Sequence, residues 1–184
     1  MSEADSRRVF FALWPDDEAM SHLAALARDL AARGGGRLMR PESLHLTLAF
    51  VGSVASEQIP QLEEFAAGIR AESFALSLDR FGFWPQGGIL WAGFRQTPAP
   101  LRGLAATLVG GLRAAGFAID ARAGANLAAH VTLARRVRCA SLPRLGTPVN
   151  WQVGEFALVE SQLHSSAANY RTLARFPLGE ADAG

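Results

Sequence analysis

The stretch HLTLA at residues 45–49 occurs a second time as HVTLA at residues 130–134. Both stretches are apolar and rich in β-forming residues, so each is predicted to be a strand. Successive side chains of a strand point to opposite faces, so each stretch places its histidine and its threonine on one face and apolar side chains on the other. Two of the chain's 4 histidines lie in this pattern, which indicates a duplicated unit rather than coincidence.

The segments around the two copies alternate between strands and helices. Apolar runs bounded by turn-forming residues predict strands at 8–13, 45–51, 74–81, 88–94, 130–137, 153–163 and 170–178. Apolar residues at three- and four-residue steps predict helices at 18–33, 56–69 and 100–115. Gly82, Pro85 and Gly87 separate the third strand from the fourth and predict a hairpin there, while 138–150 reads as a loop rich in proline and glycine.

This alternation predicts an α+β fold. With 184 residues, 49% of them hydrophobic, the chain can bury a sizeable core, which excludes disorder as its main state. No Gly/Ser-rich linker divides it, so we expect a single domain over 1–184, with flexible tails at 1–6 and 179–184. If the two copies are equivalent strands of a pseudo-symmetric fold, their polar faces line one cleft.

The composition excludes several classes of function. All 18 basic residues are arginine, and the absence of lysine excludes Walker-type nucleotide binding, Schiff-base chemistry and ligases that work through a lysine–nucleotide intermediate. A single cysteine, Cys139, excludes a disulfide framework and a cysteine-built zinc site. The net charge of +1 gives no global attraction for nucleic acid. Because no signal peptide or apolar span is found, we expect a cytoplasmic protein without a membrane partner.

Two imidazoles in one cleft suit concerted acid–base chemistry. The reference pKa of histidine is about 6.5, so near neutral pH one ring can accept a proton while the other donates one. The hydroxyls of Thr47 and Thr132, with an arginine, can hold the oxygens of a phosphate group. Strand alternation places Arg136 on the face of His130 and Arg135 on the opposite face unless the strand bulges.

The residues resemble a known family at this point. HLTLAF and HVTLAR are similar to the paired HxTx signature of the two-histidine (2H) phosphoesterases. RRVFFALWP, RPESLHLTLAFVG, the hairpin with Trp91, FALVESQL and YRTLARFPL resemble its bacterial RNA 2′,3′-cyclic phosphodiesterase and 2′-5′ RNA ligase branch, so the resemblance covers residues 7–178. It implies a bilobal, pseudo-symmetric fold of two antiparallel sheets flanked by helices, with a central cleft that carries both motifs.

The resemblance also implies an activity and residue roles. The implied reaction is metal-independent hydrolysis of terminal RNA 2′,3′-cyclic phosphodiesters to 2′-phosphomonoesters, with reversible, ATP-independent 2′-5′ ligation. His45 is similar to the family's proton donor and His130 to its proton acceptor. Thr47 and Thr132 match the phosphate-contacting hydroxyls, and Arg135 matches the phosphate-binding arginine. We follow the family pattern for Arg135 over the argument from strand alternation.

Substrate and partners follow from the same resemblance. Phe10 and Phe11 are candidates to stack on a base of the substrate, as are the aromatic residues Phe83, Trp84 and Trp91. We expect no cofactor and no metal, a monomer, and RNA with a 2′,3′-cyclic phosphate end as the partner, tRNA halves among them. Ala129 departs from the proline that commonly precedes the second histidine in the family.

Two other functions stay open at the level of sequence. One is the same chemistry on a small cyclic nucleotide or another phosphodiester. The other is a non-catalytic protein that binds RNA ends through its histidines. A zinc site is disfavoured, since no carboxylate lies two or four residues from His45 or His130.

Overall fold

The fold is taken from a computed structural model that describes residues 6–119, 128–138, 146–163 and 168–179. Its strands are β1 (Ser6–Leu13), β2 (Arg37–Leu38), β3 (Leu46–Ala55), β4 (Phe74–Leu78), β5 (Arg80–Trp84), β6 (Ile89–Gly93), β7 (His130–Arg135), β8 (Val149–Val153), β9 (Glu155–Leu163) and β10 (Ala168–Pro177). Its α-helices are α1 (Asp17–Gly34), α2 (Ile59–Ala67) and α3 (Ala99–Ala114).

The strands form two antiparallel sheets, which confirms the α+β prediction. The larger sheet has 8 strands in the order β10-β9-β1-β3-β7-β6-β5, with β2 beside β7. The smaller sheet contains β4 and β8. The two motif strands, β3 and β7, are neighbours at the centre of the larger sheet, paired at Leu46 and Val131. The two halves that carry the motifs therefore share one sheet.

Helix α1 is fixed at its start by one carboxylate. Asp16 Oδ1 accepts the backbone N–H of Ala19 at 2.8 Å, and Oδ2 accepts the backbone N–H of Gln152 at 3.2 Å. The first bond caps the helix, and the second ties it to β8. The helix buries one apolar stripe in the core at Ala19, Leu23, Ala27 and Leu30.

The predicted hairpin forms with a different first strand. The stretch 74–81 breaks at Asp79, where the side chain accepts the backbone N–H of Arg95 at 2.7 Å and the backbone N–H donates to Gly93 at 3.0 Å. β4 consequently pairs with β8 in the small sheet, and β5 becomes the hairpin partner of β6. The prediction of one strand over 153–163 is also wrong at its start, because β8 occupies Val149–Val153 and β9 begins at Glu155.

Both ends of the described chain are held by backbone pairing. Ser6 pairs with Ala55 in the main sheet, and Gly179 forms a parallel bridge with Glu72. The rest of the tails predicted at 1–6 and 179–184 lies outside the described residues, as does Cys139. In the part of the chain that the structure covers, no helix has the length and apolar character needed to cross a membrane.

Candidate active site

The pairing of β3 with β7 places the polar residues of both motifs together. Leu46 lies opposite Val131, and both side chains are fully buried on the face that packs into the core. Continuing this register by one residue in each direction sets His45 opposite Thr132. In the same way it sets Thr47 opposite the second histidine. All four side chains therefore project from the other face, which we call the site face.

A bulge in β7 brings Arg135 to the site face. From Thr132 to Ala134, β7 advances two residues while its neighbour β6 advances one. Leu133 and Ala134 are consequently buried in succession, and Arg135 is partly exposed. The extra residue reverses the alternation that had assigned Arg135 to the far face. Its positive charge lowers the pKa of both His45 and His130.

The first motif contains the same bulge. From Thr47 to Ala49, β3 advances two residues while β1 advances one, so Leu48 is the extra residue. Leu48 and Ala49 are both buried, and Phe50 emerges on the site face. Phe50 thus occupies in the first half the position that Arg135 occupies in the second.

The backbone after Arg135 is tightly enclosed. Arg136, which strand alternation had placed on the face of His130, is exposed with a φ of 57° and does not continue the strand. A Cβ at Gly36 would lie 2.8 Å from the carbonyl oxygen of Arg135, and one at Gly88 would lie 2.7 Å from that of Val137. Only glycine fits at these two contacts, so they hold the main chain that carries Arg135.

Both imidazoles are oriented by the same backbone contact. Nδ1 of His45 lies 2.8 Å from the carbonyl oxygen of Ser43, and Nδ1 of His130 lies 2.5 Å from that of Ala128. A carbonyl only accepts, so each Nδ1 donates and carries the proton of the neutral ring. Nε2 of each neutral ring therefore carries the lone pair that can accept a proton.

Three aromatic rings surround His45. The ring centroid of His45 lies 4.8 Å from that of Tyr170, 5.0 Å from that of Phe10 and 5.5 Å from that of Trp14. Burial among them lowers the pKa of His45 to about 4, against the opposing effect of its bond to the Ser43 carbonyl. The charges of His130 and Arg135 lower this pKa further.

His130 lies beside two tryptophans. Its ring centroid is 4.6 Å from that of Trp84 and 6.2 Å from that of Trp91. The indole of Trp91 occupies the space above Gly82, where a Cβ would come within 1.8 Å of it. Burial lowers the pKa of His130 as well, its bond to the Ala128 carbonyl opposes the shift, and the Arg135 charge adds to it.

Neither Phe10 nor Phe11 lies where it could stack on a base of the substrate. Phe11 is fully buried on the core side, against Phe156 and Phe176, and we drop it from the candidate site. Phe10 lies on the site face, but it is only 3% exposed because its ring packs against His45. It can position His45 but has no free face for a base.

Sequence reasoning missed Trp14 and Tyr170. Trp14 follows β1, two residues beyond Ala12 on the alternation that begins at Phe10, and this pattern is the signal that would have found it. Tyr170 comes from the outermost strand, β10, and only the strand order brings it to His45.

The large pocket of the molecule lies away from the site. A large open pocket lies between the end of α2, the start of α3 and the end of β10, and Arg70, Glu72 and Thr107 are among its lining residues. None of the paired-motif residues lines it. Within the described ranges, no three histidine, cysteine or acidic side chains are grouped so as to hold a metal ion.

A sheet that carries two equivalent His–Thr strands on one open face is the arrangement of the two-histidine phosphoesterase class. The model of the family described as LigT-like phosphoesterase matches residues 13–91. The RNA 2′,3′-cyclic phosphodiesterase of Escherichia coli K12 is 30% identical over 95% of this chain and 98% of its own. That of Archaeoglobus fulgidus is 28% identical over 70% of this chain and 72% of its own.

Solved structures agree with these sequence matches. The crystal structure of E. coli LigT complexed with 3′-AMP superposes with a TM-score of 0.85 at 31% identity, over 95% of this chain and 99% of that one. The apo form of E. coli LigT gives the same TM-score at 29% identity, over 96% of this chain and all of that one. The chain belongs to the LigT-like phosphoesterase family.

Proposed function

We propose that this protein hydrolyses terminal 2′,3′-cyclic phosphates of RNA and leaves a 2′-phosphomonoester. The observation that carries the proposal is the register of β3 and β7, which sets two imidazoles, two hydroxyls and a guanidinium on one face. The names of the relatives and the 3′-AMP complex of E. coli LigT supply the substrate class. RNA ends, tRNA halves among them, are the partners we assign, with the protein acting as a cytoplasmic, single-domain monomer.

The phosphate group binds between the two motif strands. The hydroxyls of Thr47 and Thr132 donate to its non-bridging oxygens from opposite sides of the strand pair. The guanidinium of Arg135 offers a bidentate fork to the same oxygens and stabilises the charge that grows on them in the transition state. The bulge at Leu133 is what makes this contact possible.

The two imidazoles then act on opposite sides of the phosphorus atom. Nε2 of His130 takes a proton from water, whose oxygen forms a bond to phosphorus. The bond from phosphorus to O3′ breaks in line with this attack, and Nε2–H of His45 protonates O3′ as it leaves. The products are a 3′-hydroxyl and a 2′-phosphomonoester, and the two histidines have exchanged protonation states.

Binding of the substrate favours the protonated form of His45. In the free protein, burial holds the pKa of His45 at about 4, so its ring is neutral at pH 7. The phosphodiester anion binds within reach of this ring and favours its cationic form, which raises the pKa. Binding of the phosphate group therefore increases the fraction of His45 that is protonated and able to act as the proton donor.

The same groups can also catalyse a reversible transesterification. A 5′-hydroxyl RNA end takes the place of water, and its oxygen replaces O3′ on the phosphorus atom. This step joins two RNA ends through a 2′-5′ bond without ATP, because the energy of the strained cyclic diester drives it. Neither direction calls for a cofactor or a metal.

Hydrolysis of an oligoribonucleotide with a 2′,3′-cyclic phosphate end, measured in EDTA, tests the proposal. We expect the wild type to form a 2′-phosphate end, and His45→Ala and His130→Ala each to lose about 10²–10⁴-fold in kcat. Activity that requires a divalent metal, a 3′-phosphate product, or full activity in both variants would refute the mechanism.

A second substrate assigns the two histidine roles. A phosphodiester of p-nitrophenol has a leaving group that needs little protonation. His45→Ala should therefore recover much of its activity on the aryl ester, whereas His130→Ala should stay inactive. The opposite pattern would make His130 the proton donor and His45 the proton acceptor.

A further inference from the structure

Arg80 is an exposed cation at the edge of the main sheet. It is the first residue of β5, the last strand of that sheet. The neighbouring carboxylate of Asp79 accepts the backbone N–H of Arg95 and lies 3.9 Å from the Arg95 guanidinium. In the part of the chain that the structure describes, no carboxylate forms an ion pair with Arg80. Its charge is therefore available to an anion from outside the chain.

The register of the sheet sets Arg80 in line with His130. Arg80 lies opposite Gly93 on β6, and Gly93 lies opposite His130 on β7. Residues directly opposite one another point to the same face, so the side chain of Arg80 belongs to the site face. Neighbouring strands are about 4.8 Å apart, which sets the backbone of Arg80 about 10 Å from that of His130.

The indole of Trp91 lies between Arg80 and His130. A Cβ at Gly82 would overlap this ring and one at Gly93 would lie 3.0 Å from it, so the ring rests against the backbone at both glycines. The guanidinium carbon of Arg80 lies 5.4 Å from the ring centroid of Trp91, a cation–π contact, and that centroid lies 6.2 Å from the centroid of His130. Trp91 thus holds the guanidinium on the His130 side of the site without covering it.

The arginine at the other end of the same row of residues is neutralised. The threonine of the first motif lies opposite Ala12, and Ala157 lies opposite both Ala12 and Arg175 on the outermost strand, β10. Arg175, however, forms an ion pair with Glu155. At the two ends of this row, Arg80 is therefore the cation that the described chain leaves open to a ligand.

The two sides of the site receive different RNA strands in the proposed reaction. The strand that carries the cyclic phosphate has its O3′ beside His45. The nucleophile approaches from the side of His130, and in the transesterification this nucleophile is the 5′-hydroxyl of a second strand. The next phosphate of that strand lies one nucleotide beyond the 5′-hydroxyl, on the side where the sheet carries Arg80. Arginine suits such a group, because its planar fork binds phosphate oxygens in pairs.

Building on the proposed function, we propose that Arg80 binds the first internucleotide phosphate of the RNA strand that carries the 5′-hydroxyl. Arg80 and the supporting ring of Trp91 then form a subsite for the second strand of the transesterification. Water has no such phosphate, so the subsite favours an RNA end over water as the nucleophile beside His130.

Cleavage of 2′-5′-linked RNA in EDTA tests this subsite. In that direction O3′ attacks phosphorus and gives its proton to His45, the bond from phosphorus to O5′ breaks, and His130 protonates O5′. One substrate has a single nucleoside after the 2′-5′ bond, and the other has a dinucleotide there, which adds one phosphate. Arg80→Gln should lower the ratio of kcat/KM for the longer substrate to that for the shorter one by about 3–10-fold, the effect of one partly screened contact between charges. Arg80→Lys, which keeps the charge but not the fork, should lower it less.

Two exposed arginines outside the proposed subsite serve as matched controls. Arg28→Gln changes the middle of α1, and Arg95→Gln changes the arginine that pairs with Asp79. A fall of the ratio in either variant as large as in Arg80→Gln would show a general effect of charge and would overturn the proposal. If Arg80 acted only through the packing of Trp91 on His130, Arg80→Gln would lower both kcat/KM values equally and leave the ratio unchanged, which would also overturn it.

A binding measurement separates this inference from the proposed activity. Fluorescently labelled analogues of both substrates that lack O3′ at the 2′-5′ bond cannot be cleaved, and their Kd is measured by anisotropy at several salt concentrations. For the longer analogue, Arg80→Gln should reduce the slope of log Kd against log salt by about 0.7, the value for one phosphate contact on a single strand. For the shorter analogue the slope should stay the same.

The two measurements together distinguish the possible failures. This difference in slope, found with a wild type that cleaves neither substrate, would refute the proposed activity and keep the subsite. An active wild type in which Arg80→Gln changes neither the ratio nor the slope would refute the subsite alone.

Discussion

The two halves of the site carry the same motif but differ in what surrounds it. In both, an imidazole donates from Nδ1 to a carbonyl two residues earlier, and a bulge follows the threonine. The first half closes three rings around its imidazole and presents Phe50 after the bulge. The second presents Arg135 at that position. The duplicated strands thus keep a histidine and a threonine on the site face, while the next outward position carries an exposed aromatic ring in the first half and a guanidinium in the second.

Among the changes that test the difference between the two halves, removing the cation of the second half should have the largest effect. Arg135→Gln should lower kcat/KM by about 10²–10³-fold, since a charged donor to the phosphate is lost. It should also shift both limbs of the pH profile to higher pH, because the charge of Arg135 lowers the pKa of His45 and of His130. A kcat/KM profile recorded against pH gives both results, and an unshifted profile would contradict the placement of Arg135 near the imidazoles.

The threonines test whether the halves contribute equally to phosphate binding. Thr47→Val and Thr132→Val each remove one hydroxyl donor at constant shape. A hydrogen bond to a charged group contributes about 1.5–3 kcal/mol, so each should lower kcat/KM by about 10–150-fold. Losses of similar size would support equivalent roles. A loss confined to Thr132→Val would assign the phosphate to the half that carries Arg135.

The aromatic enclosure of His45 predicts an asymmetry between the two imidazoles. Tyr170→Ala admits water beside His45 and should raise its pKa from about 4 towards 6.5, with a smaller change at His130. Titration of the imidazole Cε1–H signals by NMR measures both pKa values. Equal shifts at the two histidines would show that Tyr170 acts on the whole site face rather than on one half.

The lowered pKa of His45 in the folded protein also makes its stability depend on pH. Because the pKa of His45 is lowered in the folded protein, the unfolded chain binds a proton between pH 6.5 and about 4 that the folded chain does not. The free energy of unfolding should fall as pH falls through this window, and His45→Gln should flatten the fall. Urea unfolding at several pH values measures it. An unchanged slope in His45→Gln would mean that other groups control acid stability.

The smallest expected effect concerns the close contact of Gly88 with the Val137 carbonyl, which helps to hold the main chain that carries Arg135. Gly88→Ala sets a Cβ against the Val137 carbonyl, while Gly35→Ala meets nothing within 4 Å, and both positions have a positive φ. Both variants should lose about 1–2 kcal/mol of stability from the backbone conformation. Only Gly88→Ala should lose more than this and also raise KM, through displacement of Arg135. If the two variants had equal stability and equal KM, the Gly88 contact would not position Arg135.

Much of this protein could be predicted from its sequence, because the decisive information is local. Histidine and threonine two residues apart on a strand share a face whatever the rest of the chain does. This rule, applied to the two copies, predicted that His45, Thr47, His130 and Thr132 share a face, and the register of β3 and β7 agrees with it. Most helices and strands followed from periodicity for the same reason.

The tertiary structure decided what depends on neighbouring strands. The bulge at Leu133 is visible only against β6, and it reversed the alternation that had favoured Arg136 over Arg135. The strand order brought Tyr170 to His45, and the two faces of β1 separated Phe10 from the buried Phe11. The sequence therefore determined which groups share the site face. Only long-range pairing decided how those groups are oriented, enclosed and charged, because burial and register arise from residues far apart in the chain.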